Sequence, residues 1–358
     1  MKRIFALLLA ALLALLCVGC AVQRPLPGQN PAARDAAPPG EIRAVWLSYY
    51  EMSQAAETTR AQFVARYREV FARIKAFGLD VVFVQVRPFA DSIYPSEVFP
   101  WSAVLTGTQG QDPGYDPLAI LLELAQAAGL AIHAWINPFR IAKSTDPAKL
   151  AAQHPAQAHI KAKDRWVLEA DGQLYWNPAL PETHALVYAG ARELLQNYPA
   201  LAGLHIDDYF YPTAAPALDA AEYEAYCAAG GALALGAWRR ELVSQFVAGL
   251  YRTAKQANPA VVFSISPSAN IEKDRDEMFA DVERWLREPG YCDWMLPQVY
   301  FGFAHYKLPF AEVVQRWSAL AEETHTAARL AFGLAAYKCG ESDPYAGTGS
   351  EEWIDAAD

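Results

Sequence analysis

Cysteine is scarce in this chain. Its 358 residues hold 5, and Cys17 and Cys20 fall in the N-terminal apolar stretch. Cys227, Cys292 and Cys339 remain. They are far apart and odd in number and show neither metal-site spacing nor a disulfide framework; one bridge is open to them, but buried free thiols are the expectation. Positive charge is also short. Thirty Lys and Arg face 40 Asp and Glu, a net charge of -10. That argues against a nucleic-acid or anionic-membrane surface. No G-x-G-x-x-G follows the first apolar run, so a dinucleotide fold is disfavoured. P-loop, H-E-x-x-H and G-x-S-x-G motifs are absent as well. No cofactor is implied.

What the chain does have is an ordinary globular composition, 53% hydrophobic and 20% charged, with many rings: Trp 10, Tyr 18 and Phe 16. Rings pack cores and also suit sugar-stacking sites. At the N-terminus Lys2 and Arg3 precede an apolar run, 4–16, too short for a comfortable membrane span. Leu16-Cys17-Val18-Gly19-Cys20 follows. It resembles a bacterial lipoprotein signal, although Cys17 stands where Leu is usual. A plain secretory signal is the alternative. Acylation of Cys20 would anchor the exported protein to a membrane of the cell envelope without spanning it. Residues 1–20 therefore read as a signal. Residues 21–40, with Pro25, Pro27, Pro31, Pro38 and Pro39, read as a disordered tether. The folded domain is expected over 41–358.

Within that domain apolar runs alternate with amphipathic stretches. Strands are expected at 43–48, 80–86, 131–137, 203–208, 261–266, 294–299 and 329–333. Helices are expected at 62–77, 117–128, 181–197, 233–258, 278–287 and 309–324. Apolar strands separated by helices imply a parallel sheet covered on both faces. Their number fits a (β/α)₈ TIM barrel better than an open sheet. The last stretch, 350–357, looks like a beginning helix, with no eighth strand after it. The expectation is a barrel truncated before that strand.

The segment GLHIDDYFYP, 203–212, departs from folding logic. It is an apolar strand ending in two adjacent carboxylates, Asp207 and Asp208. Burying charge without a partner is costly, so the pair either caps or pairs locally or serves an active site. Barrel sites lie at the C-terminal ends of strands. With a period of two, the strands bring there Gln85 and Arg87; His133, Trp135 and Asn137; His205, Asp207 and Tyr209; Ser264, Ser266 and Ser268; Gln298 and Tyr300; and Tyr337 with Lys338. Arg87, Arg140 and Lys338 either pair with Asp91, Asp207 or Asp208 or hold an acidic substituent on a substrate. Trp101, Trp135, Trp176, Tyr211, Tyr300 and Phe301 are candidate stacking rings. His133, His205 and Asp207 also suggest a metal site of the amidohydrolase or deacetylase type, but the remaining ligands of such a site are missing. Hydrogen-bonded interior histidines are the preferred reading, with no metal.

RAVWLSYYE, VVFVQVRPFADSIYPSEVFPWSAVLTGTQGQDPGYDPL, HAWINPFR, GLHIDDYFYP, SISPS and MLPQVYFGF occur in this order. Together they resemble the family 10-like glycosyl hydrolases, which include bacterial lipoproteins acting on peptidoglycan glycan at the division site. The resemblance implies a TIM barrel, glycosidase activity and a polysaccharide partner. It also implies site residues at Gln85, Arg87, Pro88, Asn137, Arg140, Asp207, Asp208, Tyr209, Gln298 and Tyr300. Asp207 is the first choice for the general acid, with Asp208 raising its pKa or orienting the sugar. Retaining barrel glycosidases place a nucleophile after strand seven; here no carboxylate follows until Glu341. Either Glu51 or Glu341 activates water, or the 2-acetamido group of the substrate attacks, positioned by Tyr300 and Asn137. Two alternatives stay open: a non-catalytic glycan-binding barrel, and a metal-dependent hydrolase.

Overall fold

The computed structural model describes residues 41–53 and 59–354. The signal, Cys20 and the tether at 21–40 lie outside them. Seven strands form one parallel sheet: β1 (Ala44–Leu47), β2 (Val81–Arg87), β3 (Ala131–Ile136), β4 (Gly203–Ile206), β5 (Val262–Ile265), β6 (Trp294–Met295) and β7 (Arg329–Leu330). They pair in chain order from β1 to β7. Helices alternate with them: α1 (Arg60–Ala76), α2 (Pro117–Ala127), α3 (Pro181–Asn197), α4 (Leu235–Ala257), α5 (Val282–Arg287) and α6 (Phe310–Thr324); further helices, Tyr49–Ser53 and Ala220–Ala228 among them, lie in the connecting loops. The fold is α/β of the TIM-barrel type, and no eighth strand stands among the described residues.

The sheet curls, and inward side chains of non-neighbouring strands touch. Trp46 Nε1 on β1 donates to His205 Nε2 on β4 at 3.1 Å. The ring of His133 on β3 stacks on Trp294 of β6, 4.9 Å between centroids. Phe83 lies between them, 4.9 Å from Trp46, 5.1 Å from His133 and 4.4 Å from His205. The opposite faces carry Val82, Val84, Ile132, Ala134, Ile136, Leu204, Ile206, Phe263 and Ile265, all buried, against helix residues such as Phe63, Leu118, Val187 and Phe246. Alternation along each strand thus divides an aromatic interior from an aliphatic helix layer.

Local signals set the element ends. Thr59 and Gln62 close a capping box on α1, and Asp116 caps α2 with Pro117 at its first turn. Three stretches differ from the sequence expectation. Strands six and seven break after two residues and resume as a second pair, Gln298–Val299 with Gly333–Leu334, because Pro297 brings no N–H to the ladder. The helix expected from 278 begins at Val282, behind the π-helical turn Asp274–Met278. The long β3–α3 loop holds an antiparallel ribbon of Arg140–Ala142, Gln173–Trp176 and Val167–Ala170, turned at Asp171-Gly172, both at positive φ. In the last stretch 351–354 form turns and the remainder of the expected helix lies outside the described residues. The three cysteines are free thiols, but Cys227 and Cys339 are exposed, on loop and helix-end positions with little packed over them.

Candidate active site

The site begins with the two residues that follow β4. Asp207 is buried, at 4% exposure. Asn137 Nδ2 donates to both its oxygens, at 3.0 and 2.8 Å, and Trp135 Nε1 donates to Oδ2 at 3.2 Å. Asn137 is itself held. The Tyr49 backbone N–H donates to Gln85 Oε1 at 3.0 Å, and Gln85 Nε2 donates to Asn137 Oδ1 at 2.6 Å. A backbone N–H can only donate, so it fixes the sense of both amides, and the relay ends with a donor on the carboxylate. Sequential strands β2, β3 and β4 supply its members.

Asp208 is turned to the other side, where it lines a cavity of about 240 Å³ with Lys273, Gln298, Tyr300, Lys338 and Asp343. Burial, and then the Asp208 charge, pushes Asp207 up to about 8, against the pull of Asn137, Tyr209 N–H and Trp135. Burial likewise raises Asp208, against Gln298 and Lys273. Two adjacent carboxylates in such a place do not ionise together, so the pair keeps one proton near neutrality. The donors around Asp207 favour placing the single charge there and the proton on Asp208.

The other expected site residues divide into those at the rim and those away from it. Gln85, Trp135, Asn137, Tyr209, Gln298 and Tyr300 gather around the pair. Tyr209 is 44% exposed, and Gln298 Nε2 donates to the Ser266 carbonyl at 2.8 Å. Arg140 is at the rim, bound to Gln173 Oε1 and lying over the Phe89 and Tyr209 rings at 5.3 and 5.2 Å. Tyr337 is exposed, edge-on to Tyr300. Lys338 lines the cavity, but its ammonium is held by Asp343 at 2.6 Å and the Tyr300 carbonyl at 2.8 Å.

Arg87 and His205 are corrections. The β2–β3 register slips between Gln85 and Arg87, and this bulge turns Arg87 out of the alternation. Its guanidinium lies in the helix layer, over the Phe99 ring at 4.4 Å and donating to the carbonyls of Asn137 and Pro138. His205 sits below the rim in the aromatic interior, with Nε2 taken by Trp46 and Nδ1 against Ser264 Oγ at 2.8 Å. Burial holds it well below its ordinary value, and the nearby His133 adds to that. With both nitrogens engaged it has no lone pair for a metal, and the described residues contain no group of three candidate ligands. His133 is buried too, but its Nδ1 has no partner, contrary to the expected hydrogen bond. Gly203 makes room for that ring: a Cβ there would lie 2.2 Å from Nδ1. Trp176 and Tyr211 are core rings, at 0% and 2% exposure.

Glu51 caps its own short helix through the Ser48 N–H and hydroxyl, and Glu341 is exposed and off the cavity. Two carboxylates escaped the sequence reading. Asp343 lines the cavity at 3% exposure; despite burial, which would raise it, Lys338 holds it below its ordinary value. Asp274 is fully buried beyond β5, with Oδ1 on the Ser268 N–H and Oδ2 unpartnered. Burial, and then Asp208, raises it well above its ordinary value. The signal for Asp343 was its place two residues past Glu341; for Asp274 it was hidden in a charged run.

The chain matches the family model described as "Glycosyl hydrolase-like 10" over residues 41–348. It is 33% identical to glycosyl hydrolase YngK of Bacillus subtilis (strain 168) over 337 residues, covering 88% of this chain and 64% of that protein, less than two thirds of its length. It is 31% identical to glycosyl hydrolase DigH of Escherichia coli (strain K12) over 350 residues, covering 88% of this chain and 78% of that protein. Among solved structures, the catalytic domain of β-amylase from Paenibacillus polymyxa superposes over 89% of this chain and 99% of that one, at 10% identity and a TM-score of 0.47. Matched over nearly all of its folded residues, the chain belongs to the glycosyl hydrolase-like 10 family.

Proposed function

We propose that this chain is a cell-envelope glycoside hydrolase acting on peptidoglycan glycan strands or a related amino-sugar polysaccharide. Cys20 acylation would hold it at a membrane surface. The observation that carries the reading is the asymmetry of the Asp pair: one carboxylate saturated with donors, its neighbour open to a cavity. Cleaving a glycoside requires a proton on the leaving oxygen and stabilisation of positive charge at the anomeric carbon. Asp208 lines the cavity and gives the proton. Asp207, charged beneath it, keeps that proton in place until the leaving oxygen takes it. The geometry thus favours Asp208 over Asp207 as the acid.

The second group is supported best as the substrate's own 2-acetamido oxygen. Glu51 is used in capping, Glu341 is off the cavity, and Asp343 is paired with Lys338. In that step the acetamido oxygen bonds to the anomeric carbon as the glycosidic bond breaks. The Asp208 proton goes to the departing sugar. Water then opens the cyclic intermediate and returns a proton to Asp208. Tyr300, on the cavity wall, is placed to orient the acetamide.

Incubating the purified protein with glycan strands and reading the products by mass spectrometry tests this. Shorter reducing-end oligosaccharides are expected. Binding without turnover would overturn it in favour of a glycan-binding barrel.

A further inference from the structure

Beside the Asp pair a run of rings and cations crosses the rim, drawn from the loops after β1, β2, β3 and β4. Tyr49 and Tyr50 stack at 4.2 Å, and Tyr49 meets Phe89 edge-on at 5.5 Å. The Lys143 ammonium lies 4.7 Å from the Tyr49 ring and 4.9 Å from that of Tyr50, and donates to Tyr50 Oη at 3.2 Å. Arg140 bridges Phe89 to Tyr209, whose neighbour is Asp208.

The charge on this wall is what needs explaining. The chain carries 40 acidic against 30 basic residues. Some of its cations pair with carboxylates, as in Lys338–Asp343, Arg165–Glu222 and Arg316–Glu272. Yet neither Arg140 nor Lys143 has a carboxylate within ion-pair distance among the described residues; their partners are neutral rings, Tyr50 Oη and the Gln173 amide. An ammonium has three donors, and within the fold those of Lys143 meet only the hydroxyls of Tyr49 and Tyr50. Tyr50 is 59% exposed and Tyr209 44%, so ring faces stand open beside the two cations. What sets this place apart is two such cations lying on open rings next to the Asp pair. A ligand that is both a flat-faced sugar and an anion matches that combination.

We infer that Tyr49, Tyr50, Phe89, Arg140 and Lys143 form a subsite for a sugar unit carrying a carboxylate, with Lys143 as its specificity residue. The inference rests on the glycosidase reading above for the position of the chain across the rim. It adds the requirement that a charged sugar lie on this side of the scissile bond. The wall is tied to the Asp pair by construction: the Tyr49 N–H starts the relay that ends on Asp207.

The test measures binding, so that it stands apart from turnover. Calorimetric titration of the full chain and of Lys143→Ala would use three ligands: alternating N-acetylglucosamine and N-acetylmuramic acid strands, the same strands with carboxyls reduced to alcohols, and oligogalacturonate. The wild type should prefer native over reduced strands, and the preference should weaken with salt. Lys143→Ala should lower it about tenfold, the loss of one charge-assisted contact. Binding of oligogalacturonate as well would show that the carboxylate alone is read; its failure would show that the lactyl ether of muramic acid is. An equal affinity of the wild type for native and reduced strands overturns the inference, as does a preference that survives in both Lys143→Ala and Arg140→Gln. If strands bind with this preference but are not cleaved, the subsite stands and the hydrolase reading falls.

Discussion

Two layers of the same strands teach different chemistry. In the lower layer Phe83, His133 and His205 meet Trp46 and Trp294 in a closed aromatic interior. One step further along each strand, Gln85, Trp135 and Asp207 meet Asn137 at an open rim. Both layers bury titratable groups, but with opposite effect. Burial pushes His133 down to about 4, so below the rim the imidazoles are neutral. Burial raises both members of the Asp pair, Asp207 up to about 8, so at the rim the pair keeps one proton. The lower layer uses the penalty on charge to remain inert. On the proposed mechanism the rim uses it to hold an acid ready.

The largest way to break this contrast is through the lower layer. His205→Ala leaves the Trp46 N–H and Ser264 without a partner and opens a void, and should cost about 3 kcal/mol in chemical denaturation. Should activity fall with stability unchanged, His205 would belong to the rim after all.

A subtler effect is the pH dependence of stability. The Asp pair, raised in the folded state, contributes stability that is fully present below the unfolded value of 3.8 and is lost as its shared proton leaves with pH rising through about 8. A depressed imidazole does the reverse: its contribution is present above 6.5 and is lost as pH falls through about 4. Asp207→Asn should therefore become more stable than wild type as pH rises from 5 to 8. A parallel pair of pH–stability curves would show that the two layers do not differ as described.

The smallest change is at the relay. Asn137→Ala removes two donors from Asp207 and should slow hydrolysis about tenfold to a hundredfold. The same change raises the pair's affinity for its proton, so the alkaline limb of the pH–rate profile should move upward. A slower enzyme with an unmoved limb would make Asn137 a packing residue.

Much of this was legible in the sequence, because burial writes itself as periodicity. The order of the seven strands and six helices follows from apolar periodicity. The Asp pair stood out because charge at the end of an apolar strand has no folding rationale. Arg87 was misplaced because one bulged residue reverses the alternation, and Pro88 just after it reads equally well as the ordinary end of the strand. The β3–α3 ribbon did carry a mark, Asp171-Gly172, set between short runs that read as loop. Lys143, Phe89 and Tyr50 were invisible as a group: they come from three loops, and only the curl of the sheet brings them together. Asp343 was passed over because its role depends on facing Asp208 across a cavity.

The central claim, that Asp208 supplies the proton, is tested most directly by varying the leaving group. Asp208→Asn would be assayed on an amino-sugar oligosaccharide and on the matching dinitrophenyl glycoside, whose leaving group departs without protonation. Asp208→Asn should slow the oligosaccharide by about 10²–10⁴-fold and the dinitrophenyl glycoside far less. Equal losses on both substrates, or full activity on the first, would contradict it.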